Sequence, residues 1–598
     1  MKKLFTMVAL SLVLTGLGWG ASQSSVSQFG FTWTFDKAYE TGQYANGDWW
    51  VQGPVDITSI SPACQTVSGR VINGSMINPV PGGPQGYDQA AAGWTPALNV
   101  AMGVSAANPL SISVSDLPIK SLISTLSKEE VPTKNGAARL KSAAILTVVK
   151  DKPSPDAFRP PYCGSEDFAE IRKADIDWDA LAELEPVAGT PDIAASESSF
   201  ERPWITHGSN YPSAAVMPED NMPTYGREEA RVAHTAALLL NLNYTQVQKE
   251  KLMIRFLQYG IDVSGIIAQP EARTIWRGNG GITNGKKLAG VFAARVFNHT
   301  GMIDRLKKSG KYLTEVTGYG PGNPPPDYIH FGNEDDQVFY VSQADVAATT
   351  GPQWAPDTRA AETHPYTQAD LGMPEWCIRE ALKPWTGNNY WGATYRGVSG
   401  CTMPAGAMVG HIMDFKTIWN NPAFFDYCDR YMDTIKDGGP YAGKPWQWGS
   451  NGIDLYSSAR FVWNMWHTYR TDYGCIYTGL DANTHERQYQ DCSQDITSKP
   501  GYPGLEKCIP AFTVGPNPMR DRAEFRFSDE QISRQDHFIK IFGQTGNIVY
   551  QTVGDADLRP LQWDGTNIAG YPVKPGVYFY TVTADGQTWS GRIVKAGK

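Results

Sequence analysis

The chain has 598 residues, a formal net charge of -9, 19% charged residues and 12% aromatics. A single core rarely grows past about 250–300 residues, so more than one domain is expected. The acidic balance argues against a general nucleic-acid or anionic-membrane binder, and the 59 Gly and 41 Pro suit a rigid, loop-rich extracellular protein.

Lys2-Lys3, the apolar run Leu4 to Leu17, and Gly18 with Gly20 read as a secretory signal peptide over residues 1–20. The apolar run is shorter than the ~20 residues a bilayer requires and no later stretch qualifies, so no membrane span is expected. Eight cysteines in an exported chain point to disulfides. Cys64 with Cys163 is a candidate staple of the N-terminal part, and Cys492 and Cys508 flank a Pro/Gly-rich passage; the connectivity stays open. Without a CxxC or HExxH element no zinc or redox site is expected, and no cofactor, with calcium at one acidic turn the single ion the sequence leaves room for.

Residues 21–150 are strand-like: Phe31-Thr32-Trp33-Thr34-Phe35 alternates, Trp49 to Val55 is a second run and Ala143 to Val149 a third, which predicts a β-sandwich. Residues 151–202 turn polar and proline-bearing, the composition of a connecting segment across the surface. From 203 to 490 the period becomes helical. Helices are predicted over Arg227–Asn241, Thr245–Ile267, Asn284–Asn298, Gly400–Phe415, Pro422–Ile435 and Leu455–Arg470, with Thr245 and Gln248 forming a capping box. Paired helices separated by long aromatic loops are the pattern of an all-α (α/α) toroid, and loops above ~12–15 residues are usually functional. A plain helical bundle with insertions fits loops of this length less well.

Four features carry chemistry. In Gly332-Asn333-Glu334-Asp335-Asp336-Gln337, adjacent carboxylates repel, so a folded site must bind a cation or raise a pKa, and a raised pKa is what a general acid needs. Glu334 or Asp336 is the candidate acid, with Asp262, Glu375 or Asp426 as the second carboxylate of a glycosidase; the alternative is a solvated helix start. Trp276-Arg277-Gly278-Asn279, continuing to Lys286-Lys287, is a glycine-rich loop feeding a helix N-terminus, suited to an anionic group through Arg277, Asn279 and Lys287. His207 and Tyr225, near Arg227, are the equipment of a uronate lyase, in which Tyr moves a proton, His assists and Arg neutralises the carboxylate; Tyr395 and Arg396 offer a second set. His234 and His411 lie on apolar helix faces and read as core histidines. Trp276, Trp376 and Trp391 fall in expected loops, where an aromatic face can stack on a sugar.

Val514 to Pro518, Ala523-Glu524-Phe525-Arg526-Phe527, Phe538-Ile539-Lys540-Ile541-Phe542, the turn Gly546-Asn547, Trp563-Asp564-Gly565-Thr566, Pro575-Gly576-Val577-Tyr578 and Gly591-Arg592-Ile593-Val594-Lys595 close the chain. This string resembles the C-terminal sorting domains of the type IX secretion system and the related FlgD-like immunoglobulin fold. The resemblance implies an immunoglobulin-like β-sandwich over 511–598 behind a linker at 491–510, a partner in the outer-membrane secretion machinery, and delivery to the outside or surface of a Gram-negative cell. By architecture the central region looks like secreted carbohydrate-active enzymes in which a β domain precedes an α/α barrel. The expected function is a polysaccharide-degrading glycoside hydrolase working by carboxylate acid/base catalysis. A polysaccharide lyase and a non-catalytic surface glycan-binding protein are the alternatives.

Overall fold

The structure is a computed structural model that describes residues 21–129, 140–164, 170–207, 216–223, 225–276, 281–309, 329, 331, 334–335, 337–350, 366–376, 399–436, 459–490, 512–515, 519, 522–527, 537–543, 547–554, 561–584 and 587–596. The predicted signal peptide lies outside them. The chain divides into two compact units, residues 1–490 and 491–598.

The first unit opens with β1 (Ala21–Gln28), β2 (Phe31–Gln43), β3 (Trp49–Gln52), β4 (Val55–Ser61), β5 (Gln65–Val67), β6 (Arg70–Ile72), β7 (Ser75–Ile77), β8 (Leu110–Ile112), β9 (Ile119–Ser127) and β10 (Leu140–Val149). Eight of these strands form one sheet in the order β7-β9-β10-β3-β2-β4-β8, with β1 also on β2, rather than the two packed sheets of the predicted sandwich. The sheet curls into a half-barrel because one face closes on itself. Trp33 on β2 donates from Nε1 to Ser124 Oγ on β9 at 3.0 Å. Those strands stand three places apart, about 14 Å in a flat sheet. Phe31, Trp33 and Phe35 are buried and join Val51, Val55, Leu122, Leu146 and Val148 in the curl's core. The other face of β10 is covered too: Val149 packs with Tyr44, Trp50 and Ala157. A strand buried on both sides reads as a continuous apolar run, which is why Ala143 to Val149 lacks alternation.

Segment 151–202 does not simply cross the surface. Ala157, Phe158, Arg159, Tyr162 and Cys163 are 0–3% exposed, wedged between the half-barrel and the helices. Those helices are α1 (Ile193–Ser198), α2 (Gly226–Leu240), α3 (Gln246–Ile267), α4 (Lys287–Val296), α5 (Thr300–Leu306), α6 (Gln343–Thr350), α7 (Met403–Ile412), α8 (Lys416–Trp419), α9 (Pro422–Ile435) and α10 (Ala459–Tyr469). The capping box that starts α3 is formed: Thr245 N donates to Gln248 Oε1 at 2.9 Å and Gln248 N to Thr245 Oγ1 at 3.4 Å. Helix α3 packs on α4, and α2 on α7. Two hairpin-like pairs, β11 (Val338–Tyr340) with β12 (Pro374–Trp376) and β13 (Ile476–Leu480) with β14 (Arg487–Gln490), complete the unit. No helix among the described residues is long and apolar enough to cross a membrane.

Cys64, Cys163, Cys401 and Cys428 are free, so the expected Cys64–Cys163 staple is not made. Cys64 Sγ instead accepts from Asn99 Nδ2 at 3.2 Å, and Cys163 Sγ sits 2.8 Å from the Pro79 carbonyl. Burial pushes the Cys163 and Cys428 thiols well above their ordinary range. Cys475 is disulfide-bonded.

The second unit has β15 (Phe512–Gly515), β16 (Ala523–Phe527), β17 (His537–Phe542), β18 (Ile548–Gly554), β19 (Leu561–Trp563), β20 (Gly576–Ala584) and β21 (Gln587–Lys595). They make a three-stranded sheet, β15-β16-β19, and a four-stranded sheet, β18-β17-β20-β21. Phe525 and Trp563 from one, and Ile539, Ile541, Val582 and Ile593 from the other, form a single core.

Candidate active site

The site is built around loop 281–286, which lies directly on the first turn of α2. Gly285 makes this approach: its φ is +88°, and a Cβ there would stand 2.4 Å from Ala230 N. The contact brings Glu229, fully buried, against Lys286, whose Nζ bonds Glu229 Oε2. Burial raises the Glu229 pKa, and the Lys286 charge opposes the rise. Glu334 meets the loop from the other side, its Oε1 accepting from Gly285 N. Burial pushes its carboxyl up to about 7, against the Gly285 N–H and with a smaller upward contribution from Asp335.

The neighbouring carboxylates point to different partners, which limits their mutual repulsion to the small upward contribution of Asp335 to Glu334. Asp335 Oδ1 is 2.5 Å from Lys287 Nζ, which also donates to Trp419 O at 2.6 Å and lies 4.9 Å from the Trp419 ring centroid. Lys287 is therefore fully engaged, and its expected role as a receptor for an anionic ligand is not the one the geometry gives it. Asp336 lies outside the described residues.

Several buried polar atoms round this loop have no hydrogen-bond partner: Glu334 Oε2, Glu229 Oε1, both amide atoms of Asn284, Ser399 Oγ and the Tyr259 hydroxyl. Burial lifts the Tyr259 phenol well above its ordinary range, and the charges of Glu229 and Glu334 reinforce the effect. Gly281 marks where three of these elements meet, since a Cβ there would fall 1.9 Å from Ser399 Oγ and 2.7 Å from the Tyr225 hydroxyl. Trp276 adjoins the cluster by stacking on Phe331 at 5.8 Å between centroids. Glu334, Tyr225, Lys287 and Trp276 are thus brought together. Trp276 and Trp376, expected to offer open ring faces, are each only 1% exposed, their indoles being needed in the core.

The remaining candidates stand elsewhere. His207 reaches the edge of the cluster through the adjacent Thr206 carbonyl, which accepts from Trp276 Nε1 at 3.0 Å. Its ring lies between Tyr162 and Tyr87, and burial lowers its pKa to about 3, leaving a neutral imidazole of little basicity. Asp262 is held by Arg159 through both oxygens, at 2.9 and 2.6 Å, while Arg159 Nε donates to Asp48 Oδ2 at 2.6 Å. A carboxylate so committed has no oxygen left for proton transfer. Glu375 on β12 accepts from Trp376 N at 2.9 Å and from Arg430 Nη1 at 3.1 Å. It belongs with a second polar group on α9, where Asp426 Oδ2 accepts from Tyr340 and Tyr489 hydroxyls at 2.6 and 2.8 Å. Arg277, Asn279, Trp391, Tyr395 and Arg396 lie outside the described residues. His234 bonds the Thr402 carbonyl at 2.9 Å inside the helical core.

Sequence reasoning missed Glu229 and Ser399, gave no role to Asn284, and read Lys286 with Lys287 as a receptor for an anionic group rather than as the partner of Glu229. Glu229 sits in the acidic first turn of α2, where carboxylates ordinarily face water and the helix dipole; only its contact with Lys286 reveals otherwise. The described residues contain no group of three His, Cys, Asp or Glu side chains placed to share a metal ion. Chemically the cluster offers a carboxyl titrating near neutrality with one free oxygen, a condition for giving a proton to a leaving group at physiological pH.

The chain matches no family model and no curated protein. Among solved structures it is similar in part to the dimeric latent PorU from Porphyromonas gingivalis, at 19% identity and a TM-score of 0.13, over 14% of this chain and 9% of that one.

Proposed function

We propose that this chain is an exported polysaccharide-degrading enzyme, a glycoside hydrolase whose general acid is Glu334. The observation that supports the reading is the buried Glu334 carboxyl, pushed up to about 7, with Oε1 on the Gly285 N–H and Oε2 unpartnered. In the proposed step the glycosidic C–O bond breaks as Glu334 Oε2 gives its proton to the leaving oxygen. Water adds its hydroxyl to the anomeric carbon and loses its proton to a second carboxylate. We assign that second role to Glu229, whose Oε1 is also unpartnered beside the same loop.

The same proposal takes the helices of the first unit as an α/α toroid whose rim carries the substrate, and the second unit as an immunoglobulin-like sorting module for a Gram-negative outer-membrane export machinery. β-Elimination by Tyr225 is the second reading, favoured by the position of its hydroxyl against Gly281 in the same cluster.

Purified protein incubated with a panel of neutral and uronate-containing polysaccharides tests these readings. New reducing ends, lost on Glu334→Gln, support the hydrolase. Ultraviolet absorbance from unsaturated uronate ends, retained by Glu334→Gln and lost by Tyr225→Phe, replaces it with the lyase. Retention on glycan with neither product leaves a binding protein.

A further inference from the structure

Among the described residues, six buried polar atoms round loop 281–286 have no hydrogen-bond partner. A buried polar atom without a partner is destabilising because its desolvation goes uncompensated, and such atoms in native proteins call for an explanation such as a missing water, ion or ligand. Glu334 Oε2, Glu229 Oε1, Asn284 Oδ1 and Nδ2, Ser399 Oγ and the Tyr259 hydroxyl all belong to this cluster. Each parent residue is 0–3% exposed.

Their donor and acceptor character selects the ligand. Asn284 Nδ2 can only donate, the amide oxygen of Asn284 can only accept, and the two carboxylate oxygens accept when ionised; the hydroxyls of Ser399 and Tyr259 do either. With Glu334 protonated, as a general acid must be, its Oε2 donates alongside Asn284 Nδ2 while Asn284 Oδ1 and Glu229 Oε1 accept, so the missing partner must both donate and accept. A carboxylate, sulfate or phosphate brings only acceptors and would set oxygen against oxygen. The cations of the cluster are already occupied, Lys286 by Glu229 and Lys287 by Asp335 and the Trp419 carbonyl. An acidic group entering here would meet neutralised lysines and the partly ionised Glu334.

We infer that the cluster of Glu229, Asn284, Glu334 and Ser399 binds an uncharged, hydroxyl-rich ring, a neutral sugar unit, and discriminates against uronate and sulfated sugars. This rests on reading the Glu334 cluster as the substrate site, and it assigns that site its substrate class. Sugar hydroxyls both donate and accept, so vicinal pairs can satisfy an amide and a carboxylate together.

Calorimetric titration of the full chain, with Glu334→Gln to block turnover, separates the possibilities. The probes are oligosaccharides of glucose, mannose, xylose and galactose against oligogalacturonate and oligomannuronate. At least one neutral series is expected to bind about tenfold or more tighter than either acidic one. Asn284→Leu in the same background is expected to weaken neutral binding about tenfold or more while leaving the melting temperature unchanged or higher, since it removes two unpaired buried polar atoms. A structural role for Asn284 predicts a lower melting temperature with binding retained. Should Asn284→Leu fail to fold, Ser399→Ala carries the same comparison. Equal or tighter binding of an acidic series, no binding of any neutral series, or neutral binding untouched by these substitutions overturns the inference. Its failure is distinguishable from failure of the hydrolase reading. Neutral sugars bound by the unsubstituted chain but never cleaved remove only the latter, and Glu334-dependent hydrolysis of a polyuronate removes only the former.

Discussion

Arg159 grips Asp262 with both terminal nitrogens, Nη1 at 2.9 Å from Oδ1 and Nη2 at 2.6 Å from Oδ2, with the arginine and aspartate side chains 0% and 2% exposed. The third contact, to Asp48, ties the β2–β3 turn of the half-barrel to the C-terminal half of α3 through a residue of the segment between them. Breaking a buried pair by removing one partner costs about 3–5 kcal/mol, because the other charge is left uncompensated. Asp262→Asn and Arg159→Met should each lower unfolding free energy by about that much in urea titrations. Turnover per folded molecule should persist, in contrast to any substitution of Glu334.

The Glu334 carboxyl couples stability to pH. Its folded pKa, about 7, lies above the ordinary 4.5, so the folded state holds more protons between those values. Stability is fully present below pH 4.5 and lost as pH rises through 7. The span corresponds to about 3 kcal/mol. Melting temperatures measured from pH 4.5 to 8 should show a decline in the wild type that Glu334→Gln flattens; parallel curves for the two proteins would place the titration elsewhere.

Lys287 and Asp335 form a second buried pair, both side chains 0% exposed. Lys287→Met should destabilise by about 3–5 kcal/mol, and Lys287→Met combined with Asp335→Leu should recover part of that loss, since apolar replacement of a whole buried pair is often neutral. A double-mutant cycle by chemical denaturation gives the coupling. A simple sum of the two single effects would mean that the lysine is held by Trp419 alone.

Gly281→Ala tests the positioning of the cluster without altering a charge. The added methyl would collide with Ser399 Oγ and crowd the Tyr225 hydroxyl. Displacements near 1 Å can cost about 100-fold in turnover. A drop of that order in kcat is expected on the polysaccharide that the wild type degrades, with the melting temperature within a few degrees of wild type.

The elements most legible in the sequence are those whose local chemistry is complete. Thr245 and Gln248 announce the start of α3 because a capping box needs only residues three apart, and Phe31-Trp33-Phe35 announces a strand because one face is buried. Closure of the half-barrel was not legible. It depends on Trp33 reaching Ser124 and on Tyr44, Trp50 and Ala157 covering the far side of β10 at Val149, contacts that no alternation in a single strand records. The acidic turn was readable as a site of perturbed protonation, but its partners were not. Glu229 looks like a solvated helix start, and Lys286 and Lys287 look alike in sequence although each serves a different carboxylate. Arg159, in a proline-bearing stretch with the composition of a surface connection, gives no sign that it holds Asp48 and Asp262.

The sealed thiols of the first unit have a practical corollary. Cys163 and Cys428 are 1% and 0% exposed, and burial keeps both in the unreactive protonated form. Alkylation needs the thiolate and a path to it, so these two sulfurs become labelled only in molecules that have opened around them. The rate at which a maleimide reaches them is a built-in clock for spontaneous breathing of this unit, readable by mass spectrometry without any substitution in the chain.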